Sequence, residues 1–554
     1  MIAAEAVGRA LAGLGVTTVF GVAGSGNFHV TNALVAGGAR FVAARHEGGA
    51  ATMADAYARV SGRPGLLSVH QGPGLTNAIT GIAEAAKSRT PLLVLAGEAG
   101  DPRSNFAIDQ DALAAAVGAV PMRAHSGETA VDDAIRAYRT AVRERRTVLL
   151  NLPLNVQNEM AKTPPSAGAA LVPEAAAVPA PPPETIARLG ELLLAARRPV
   201  FIAGRGARGA RAELTALADR VGALLATSAV AKGLFRGDPW DLDVSGGFAT
   251  PLAAELIRGA DVIVGWGCAL NMWTTRHGAL IGPGATLVQV DLEEDAIGRH
   301  RPVEFGVCGE AAETARLTLW YLSGLGPAGG GAGPWPGYRS RELAVRIAGE
   351  RRWRDVPYAD TGGGGRIDPR TLSIGLDDLL PQERIVSVDS GNFMGYPSMF
   401  LSVPDEDGFC FTQAFQSVGL GLATAIGAAL ARPDRLPVAA LGDGGALMGI
   451  AELETVVRLG LPMVIVVYDD EAYGAEVHHF GPDGHPLGTV TFPPADLARI
   501  ARGFGCAGLT VRSRADLAGV ADWLSGPRDR PLLIDAKVTS EQPSWWLEEA
   551  FRGH

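Results

Sequence analysis

Short apolar runs alternate with helical stretches throughout this chain, and two breaker clusters divide the pattern into three blocks. The first block holds TTVFGV, GLLSVH, PLLVLAG and TVLLNLP. The second holds PVFIAGRG, ADVIVGWG and ATLVQVDLE, and the third RIVSVDSGN, LPVAALGDGG, PMVIVVYDD and RPLLIDAKV. Runs this short and this apolar suit strands buried on both faces, with the helices between them as crossovers. Each block therefore predicts a doubly wound parallel sheet, which makes the fold class α/β. The breakers are TPPSAGAALVPEAAAVPAPPP at 163–183 and GLGPAGGGAGPWPG at 324–337, both read as linkers. The expected domains are 1–162, 184–323 and 360–540.

Composition narrows the partners. Hydrophobic residues make up 47% of the 554, enough for large cores, and the net charge is −10 with no long basic block, which argues against nucleic acid. Cys268, Cys308, Cys410 and Cys506 lie far apart and form no disulfide or metal pattern, which suits a reducing cytoplasm. The first apolar stretch carries Glu5 and Arg9, so it does not read as a signal peptide, and no apolar run reaches membrane-spanning length.

Chemistry concentrates in GDGGALMGIAELETVVRLGLPMVIVVYDDEAYG, which begins at Gly442. Asp443 sits in a glycine turn at the end of one strand run, and Asp469 and Asp470 end the next. Two such strands, joined by one helix, lie side by side and share one edge of the sheet. Asp443 and Asp470 are thus expected to face one another. The glycines Gly444 and Gly445 leave backbone open for a phosphate. Carboxylates beside a phosphate cradle suggest magnesium holding a diphosphate.

This span resembles the thiamine-diphosphate motif, in which GDG is followed by a pair of asparagines; here Asp469-Asp470 replaces the pair, with Asp470 at the metal-ligand position. RHEGGAATMADAYAR around Glu47 and HQGPGLTN around Asn77 resemble two further segments of the same enzymes. From Ala4 to Val538 the chain is similar to the acetohydroxyacid synthase and 2-oxoacid decarboxylase branch, benzoylformate decarboxylase-like members included. The resemblance implies an aminopyrimidine-binding first domain, a structural or nucleotide-holding central domain and a diphosphate-binding last domain.

It also implies roles. Glu47, in small and apolar surroundings, would share a proton with the aminopyrimidine, and Asn77 would lie nearby. Gly391, Asn392 and Phe393 would touch the diphosphate through backbone groups. The Gln416 carbonyl would accept from the aminopyrimidine amino group, and Val418 would be the apolar pillar that bends the cofactor. Asp443, Asp470 and the Ala472 carbonyl would ligate magnesium, with Gly442, Gly444, Gly445, Tyr473 and Gly474 bordering the diphosphate. His70 ends a strand and is read either as a proton-transfer catalyst or as a structural histidine. Ser25, in FGVAGSGNFHV, either contacts a substrate carboxylate or caps a helix. Glu476 and His479 are candidates for substrate contact and proton transfer; together with His478 they are weighed less as a transition-metal site. GRGARG after PVFIA has the wrong glycine spacing for a dinucleotide fingerprint. FAD remains possible, with Arg276 and His277 as the basic members of a flavin-type string, beside a nonbinding central domain. The tail QPSWWLEEAFRGH is expected either to close over the site through Trp545 and Trp546 or to pack against a neighbour.

The reading is a thiamine diphosphate- and magnesium-dependent lyase or transferase. It would decarboxylate a 2-oxo acid, with acetolactate synthase-like carboligation to an aldehyde or ketone. By resemblance it is a homodimer or homotetramer with sites between subunits. The alternatives are a 2-hydroxyacyl-CoA lyase or oxalyl-CoA decarboxylase, a flavin- or nicotinamide-dependent oxidoreductase, and a noncatalytic cofactor-binding protein.

Overall fold

The computed structural model describes residues 1–161, 180–325, 337–541 and 544–547, and these hold three six-stranded sheets. Strands are numbered in chain order. The first sheet runs β2 (Arg40–Ala43), β1 (Thr18–Gly21), β3 (Gly65–Val69), β4 (Leu92–Glu98), β6 (Thr147–Pro153), β5 (Val120–Arg123). The second runs β12 (Phe305–Cys308), β11 (Thr286–Asp291), β10 (Val262–Trp266), β7 (Pro199–Ala203), β8 (Leu224–Thr227), β9 (Asp241–Val244). The third runs β14 (Phe409–Phe411), β13 (Arg384–Val388), β15 (Leu436–Gly442), β16 (Val464–Asp469), β18 (Leu532–Lys537), β17 (Ala507–Val511).

Neighbouring strands in all three sheets are parallel, as in β1 with β3, β10 with β7 and β15 with β16. Their central strands are buried along their whole length, which is why the sequence shows unbroken apolar runs rather than alternation. The first and third sheets repeat one strand order. The second has the order found in dinucleotide-binding folds.

The linker expectation at 163–183 falls on residues outside the described ones except for 180–183, and the one at 324–337 except for 324, 325 and 337. After the second gap the chain returns to the central sheet, where Leu343 and Ile347 join its core. The first and third sheets share a core of their own. The helix Glu47–Ser61 crosses the helix Gly421–Ala431 so closely that a Cβ on Gly427 would stand 2.2 Å from the Met53 carbonyl oxygen. Met53, Leu75 and Ile82 there meet Leu422, Ile426 and Val456. No helix among the described residues is long and apolar enough to cross a membrane.

Candidate active site

Two places in the molecule carry the chemistry, and both lie where strand order reverses. In a parallel sheet such a reversal opens a crevice at the carboxyl ends of the strands. In the third sheet the reversal falls between β13 and β15. Gly391 to Phe393 follow β13, Gly442 to Gly445 follow β15, and Asp470 follows β16. All of these line one cleft of about 1850 Å³, together with Gln416, Val418, Ala472, Tyr473, Gly474 and Glu476, while Asp469 does not; the cleft runs on along the first and central domains, past Arg59 and Asn271. The expected juxtaposition of Asp443 and Asp470 is met: β15 and β16 are adjacent, with Gly442 opposite Tyr468.

Both carboxyl groups are desolvated. Asp443 is pushed up to about 8, by burial first and then by the charges of Asp470 and Asp469. Burial takes Asp470 to about 6. Desolvated carboxylates that resist ionisation beside one another fit a hard divalent cation, which would take their oxygens and supply the missing charge. Among the described residues no three His, Cys, Asp or Glu side chains converge as a metal cage. This includes Glu476, His478 and His479. What the cleft offers a cation is the two carboxylates of Asp443 and Asp470.

The glycines here have specific neighbours. A Cβ on Gly442 would press on the Phe393 ring, one on Gly444 on Tyr473, and one on Gly445 on Asp389 Oδ2 at 2.4 Å. Gly474 makes room for the Asp470 carboxylate, 2.4 Å from its would-be Cβ. Phe393 itself is a core residue, its ring stacked on Tyr468 at 5.5 Å.

The loop bearing Gln416 and Val418 is held from two sides. Gln416 has φ 60°, a left-handed conformation that costs a non-glycine residue about 1–2 kcal/mol. Before it, the Glu84 carboxylate accepts the N–H groups of Ala414 (2.9 Å) and Phe415 (2.5 Å). After it, Asp389 accepts the Gly419 N–H at 3.0 Å. Asp389 is fully buried, and burial pushes it up to about 7 against several backbone N–H groups. Val418 stands 44% exposed in the cleft.

In the first sheet the reversal lies between β1 and β3. Ser25 is exposed in the turn after β1, and the cap position of the next helix belongs to Asn27 rather than Ser25. Asn27 is buried and ties the turn down by accepting from Gly24 N–H (2.8 Å) and donating to Ser68 Oγ (3.1 Å). His70 Nδ1 accepts the Gly26 N–H at 3.1 Å. That bond fixes the neutral tautomer with Nε2–H outward. Burial holds the His70 pKa below the ordinary histidine value, with Glu47 pulling the other way, and Phe106 stands edge-on at 5.3 Å. Glu47 opens its helix half-buried, and its Oε2 accepts from Asn77 Nδ2 at 3.0 Å. None of Ser25, Glu47, His70 and Asn77 lines the cleft of the third sheet. One chain thus carries two separate half-sites.

The half-sites are nevertheless linked through the chain by two buried glutamates. Glu84, from the first domain, grips the 414–415 backbone. Glu452, from the third, accepts the N–H groups of Arg45 (2.9 Å) and His46 (3.1 Å), just before Glu47. A Cβ on Gly49 would lie 2.7 Å from Glu452 Oε1, so any larger residue there would have to displace that carboxylate. Glu84 also pairs with Arg59, which pairs with Asp55. Sequence reasoning missed Asp389, Glu84 and Glu452. Each is a lone acid whose partners lie far away in sequence, so no spacing announces it.

Other candidates are placed differently. His479 does not line the cleft; its ring stands edge-on to Phe480 at 4.6 Å. His478 is part-buried, which lowers its pKa, and its Nε2 has no hydrogen-bond partner. In the central domain, Gly204 and Gly206 of GRGARG pack on the Gly267 backbone. Arg205 reaches across to the Ser88 carbonyl, pushed down to about 9 by burial and neighbouring arginines. Arg276 donates to the Gly246 and Ala249 carbonyls, both at 2.9 Å, and lies over the Trp545 ring at 4.6 Å. His277 Nε2 is buried. The tail packs on its own chain: Trp546 fills a slot at Gly395 and meets Tyr396 edge-on at 4.9 Å. Residues 542–543 and 548–554 of the tail lie outside the described ones.

Two sheets thus share one strand order, one with paired carboxylates beyond its strand ends and the other with a hydrogen-bonded glutamate–asparagine pair on the helices packed against it. Models of the thiamine pyrophosphate enzymes match all three blocks: the N-terminal TPP binding domain at residues 1–117, the central domain at 186–317 and the C-terminal TPP binding domain at 389–536. The chain belongs to the thiamine pyrophosphate enzyme family. It is 31% identical to a probable 2-ketoarginine decarboxylase of Pseudomonas aeruginosa, over 93% of this chain and 90% of that protein. It is 28% identical to a sulfoacetaldehyde acetyltransferase of Rhodobacter capsulatus, over 100% of this chain and 96% of the other. Its fold matches the thiamine diphosphate-dependent 4-hydroxybenzoylformate decarboxylase of Rhodococcus jostii RHA1, with a TM-score of 0.79, 22% identity, and 97% and 99% of the two chains covered.

Proposed function

We propose that the protein decarboxylates a 2-oxo acid with thiamine diphosphate and magnesium. It then releases an aldehyde or, with an aldehyde or ketone as acceptor, a 2-hydroxyketone. The observation that carries this reading is the convergence of desolvated Asp443 and Asp470 on one cleft beside a glycine-rich wall. Asp443, Asp470 and the Ala472 carbonyl would hold the metal. Backbone groups of Gly391, Asn392 and Phe393, with Gly442, Gly444, Gly445, Tyr473 and Gly474, would border the diphosphate. Gln416 and Val418 would receive the aminopyrimidine. When bound, the cofactor supplies the electron sink that lets carbon dioxide leave.

The chain's own residues do the rest. Glu47, oriented by Asn77, shares a proton with the aminopyrimidine ring. His70 offers Nε2–H, a donor to a substrate oxygen and a proton source at the end of the reaction. Ser25, exposed beside it, contacts the substrate carboxylate. Glu476 handles protons from the cleft wall. His479, turned onto Phe480, takes no step in this reading, and flavin has no part in it.

Because the two half-sites lie apart in one chain, a second copy completes each site, as a homodimer or a dimer of dimers. Exposed apolar residues flank both halves, Phe28, Phe106 and Ile108 at one and Phe415, Leu447 and Met448 at the other. The four cysteines are free, in keeping with a cytoplasmic protein.

The test is product mass spectrometry after incubation with thiamine diphosphate, magnesium and a panel of 2-oxo acids that includes 2-ketoarginine, with and without aldehyde acceptors. An aldehyde product establishes decarboxylation, and a hydroxyketone establishes carboligation. Silence across the panel, with cofactor bound, contradicts the reading and passes the question to acyl-CoA thioesters or a noncatalytic role.

A further inference from the structure

Three acids stand in a row at the metal loop, Asp469, Asp470 and Glu471, where the family motif has two asparagines at the first two positions. Unsorted, they would set three negative charges beside an anionic diphosphate. The structure sends them in different directions. Asp469 is buried and turned behind the sheet, where its Oδ2 pairs with Lys537 Nζ on the neighbouring strand β18. Lys537 is also buried; it lies 3.1 Å from Asp535 Oδ1 and donates to the Ala495 carbonyl at 3.0 Å. Asp469 Oδ1 accepts the Glu471 N–H at 3.1 Å, so the side chain is used twice. Glu471 has φ 60°, the second left-handed non-glycine residue of the site, and its Oε2 takes a 2.6 Å bond from Arg366 Nη2. Arg366 also donates to the Val538 carbonyl at 3.1 Å. Only Asp470 lines the cleft.

We propose that Lys537 and Arg366 are positioning residues that draw Asp469 and Glu471 out of the site, so that Asp470 alone of the three acids is presented to metal and diphosphate. An asparagine at 469 would need no counter-ion; aspartate there needs Lys537. The inference rests on the thiamine diphosphate and magnesium reading above, but it concerns how the loop is held rather than what the site turns over.

Binding of thiamine diphosphate with magnesium, followed by tryptophan fluorescence in the absence of any substrate, tests it. Lys537→Met is expected to weaken magnesium-dependent cofactor binding at least tenfold, and adding Asp469→Asn to restore most of that loss. Asparagine at 469 can still accept the Glu471 N–H, so the rescue reports removal of the unpaired charge alone, and thermal melts run alongside must show the binding loss at unchanged stability, which a purely structural lysine would not give. Folded Lys537→Met binding as tightly as wild type overturns the proposal, as does a double variant no better than the single. If Lys537→Met does not fold, a folded double variant that binds supports it. Arg366→Gln, at a side chain 31% exposed, gives an independent arm: it is expected to weaken binding about threefold to tenfold, and unchanged binding overturns Arg366's part. Wild type that binds no cofactor overturns the functional reading itself, an outcome distinct from failure of the variants.

Discussion

The first and third sheets share one strand order and put their reactive residues at the same reversal, yet they prepare opposite environments. The third buries acids: Asp389, Asp443 and Asp470 are all raised by desolvation, beside the glycines Gly442, Gly444 and Gly445. The first leaves its groups near the surface: Glu47 and His70 are half-buried, Asn77 and Ser25 exposed. In the proposed reading a site for a metal and a diphosphate exists before its ligand arrives, so its charges are sorted within its own domain and its loop is pinned by Asp389 and by Glu84 of the first. A site that moves protons needs only oriented groups, and a second copy can complete its enclosure. On the proposed function, one topology serves anchoring in one place and chemistry in the other.

The sharpest way to break this contrast is to exchange the expected defects. Glu47→Gln should lower turnover by about a thousandfold or more, while cofactor affinity stays within about threefold. Asp470→Ala should instead weaken cofactor and metal binding by about a hundredfold or more. Parallel binding titrations and saturating rates check both, and the division fails if Glu47→Gln loses the cofactor or Asp470→Ala keeps it.

Next in size, His70→Ala should cost about a hundredfold in kcat/KM. Because the neutral imidazole is the outward donor and burial holds its pKa below the ordinary histidine value, the wild-type rate should fall only on acidification beyond the ordinary histidine range. The variant should lose this acidic limb; a pH profile that keeps it would remove His70 from the proton-handling role.

The link between the halves predicts a crossed effect. Glu84→Gln, in the first domain, should weaken cofactor binding about tenfold by releasing the 414–418 loop. Glu452→Gln, in the third, should lower turnover about tenfold by loosening the start of the Glu47 helix. Effects that stay within the mutated domain's own task would refute the crossing.

The smallest effect is on stability. Asp389 is raised to about 7, so the fold favours its protonated form. Its contribution is full below the unfolded carboxyl value near 4 and is lost as pH rises through about 7. The thermal midpoint of the cofactor-free protein should therefore fall several degrees more between pH 5 and 8 for wild type than for Asp389→Asn. Equal slopes would show that Asp389 does not titrate there.

Much of this was legible in the chain. Unbroken apolar runs at crossover spacing gave the parallel sheets, and GDG one helix and one strand before Asp470 placed two carboxylates on one edge. What the sequence did not disclose depends on partners brought together only by folding. Glu84, in the helical text IAEAAK, reads as a solvent-facing acid, yet it grips a loop 330 residues away. Lys537 reads as the end of a strand, and its pairing with Asp469 needs the order β16-β18, which no local pattern states. His479 is drawn towards the site by the family resemblance, and its ring packs edge-on to Phe480 outside the cleft lining.

The central claim is that the two half-sites of one chain serve two different active sites. Co-expression of differently tagged Glu47→Gln and Asp470→Ala chains, with the hybrids purified through both tags, tests it directly. Neither variant alone is active. In a hybrid dimer one site combines both defects and the other combines neither, so the account predicts about half the wild-type activity per hybrid dimer. No activity in the hybrids, with cofactor present in excess, would mean that each site is built within a single chain and would contradict it.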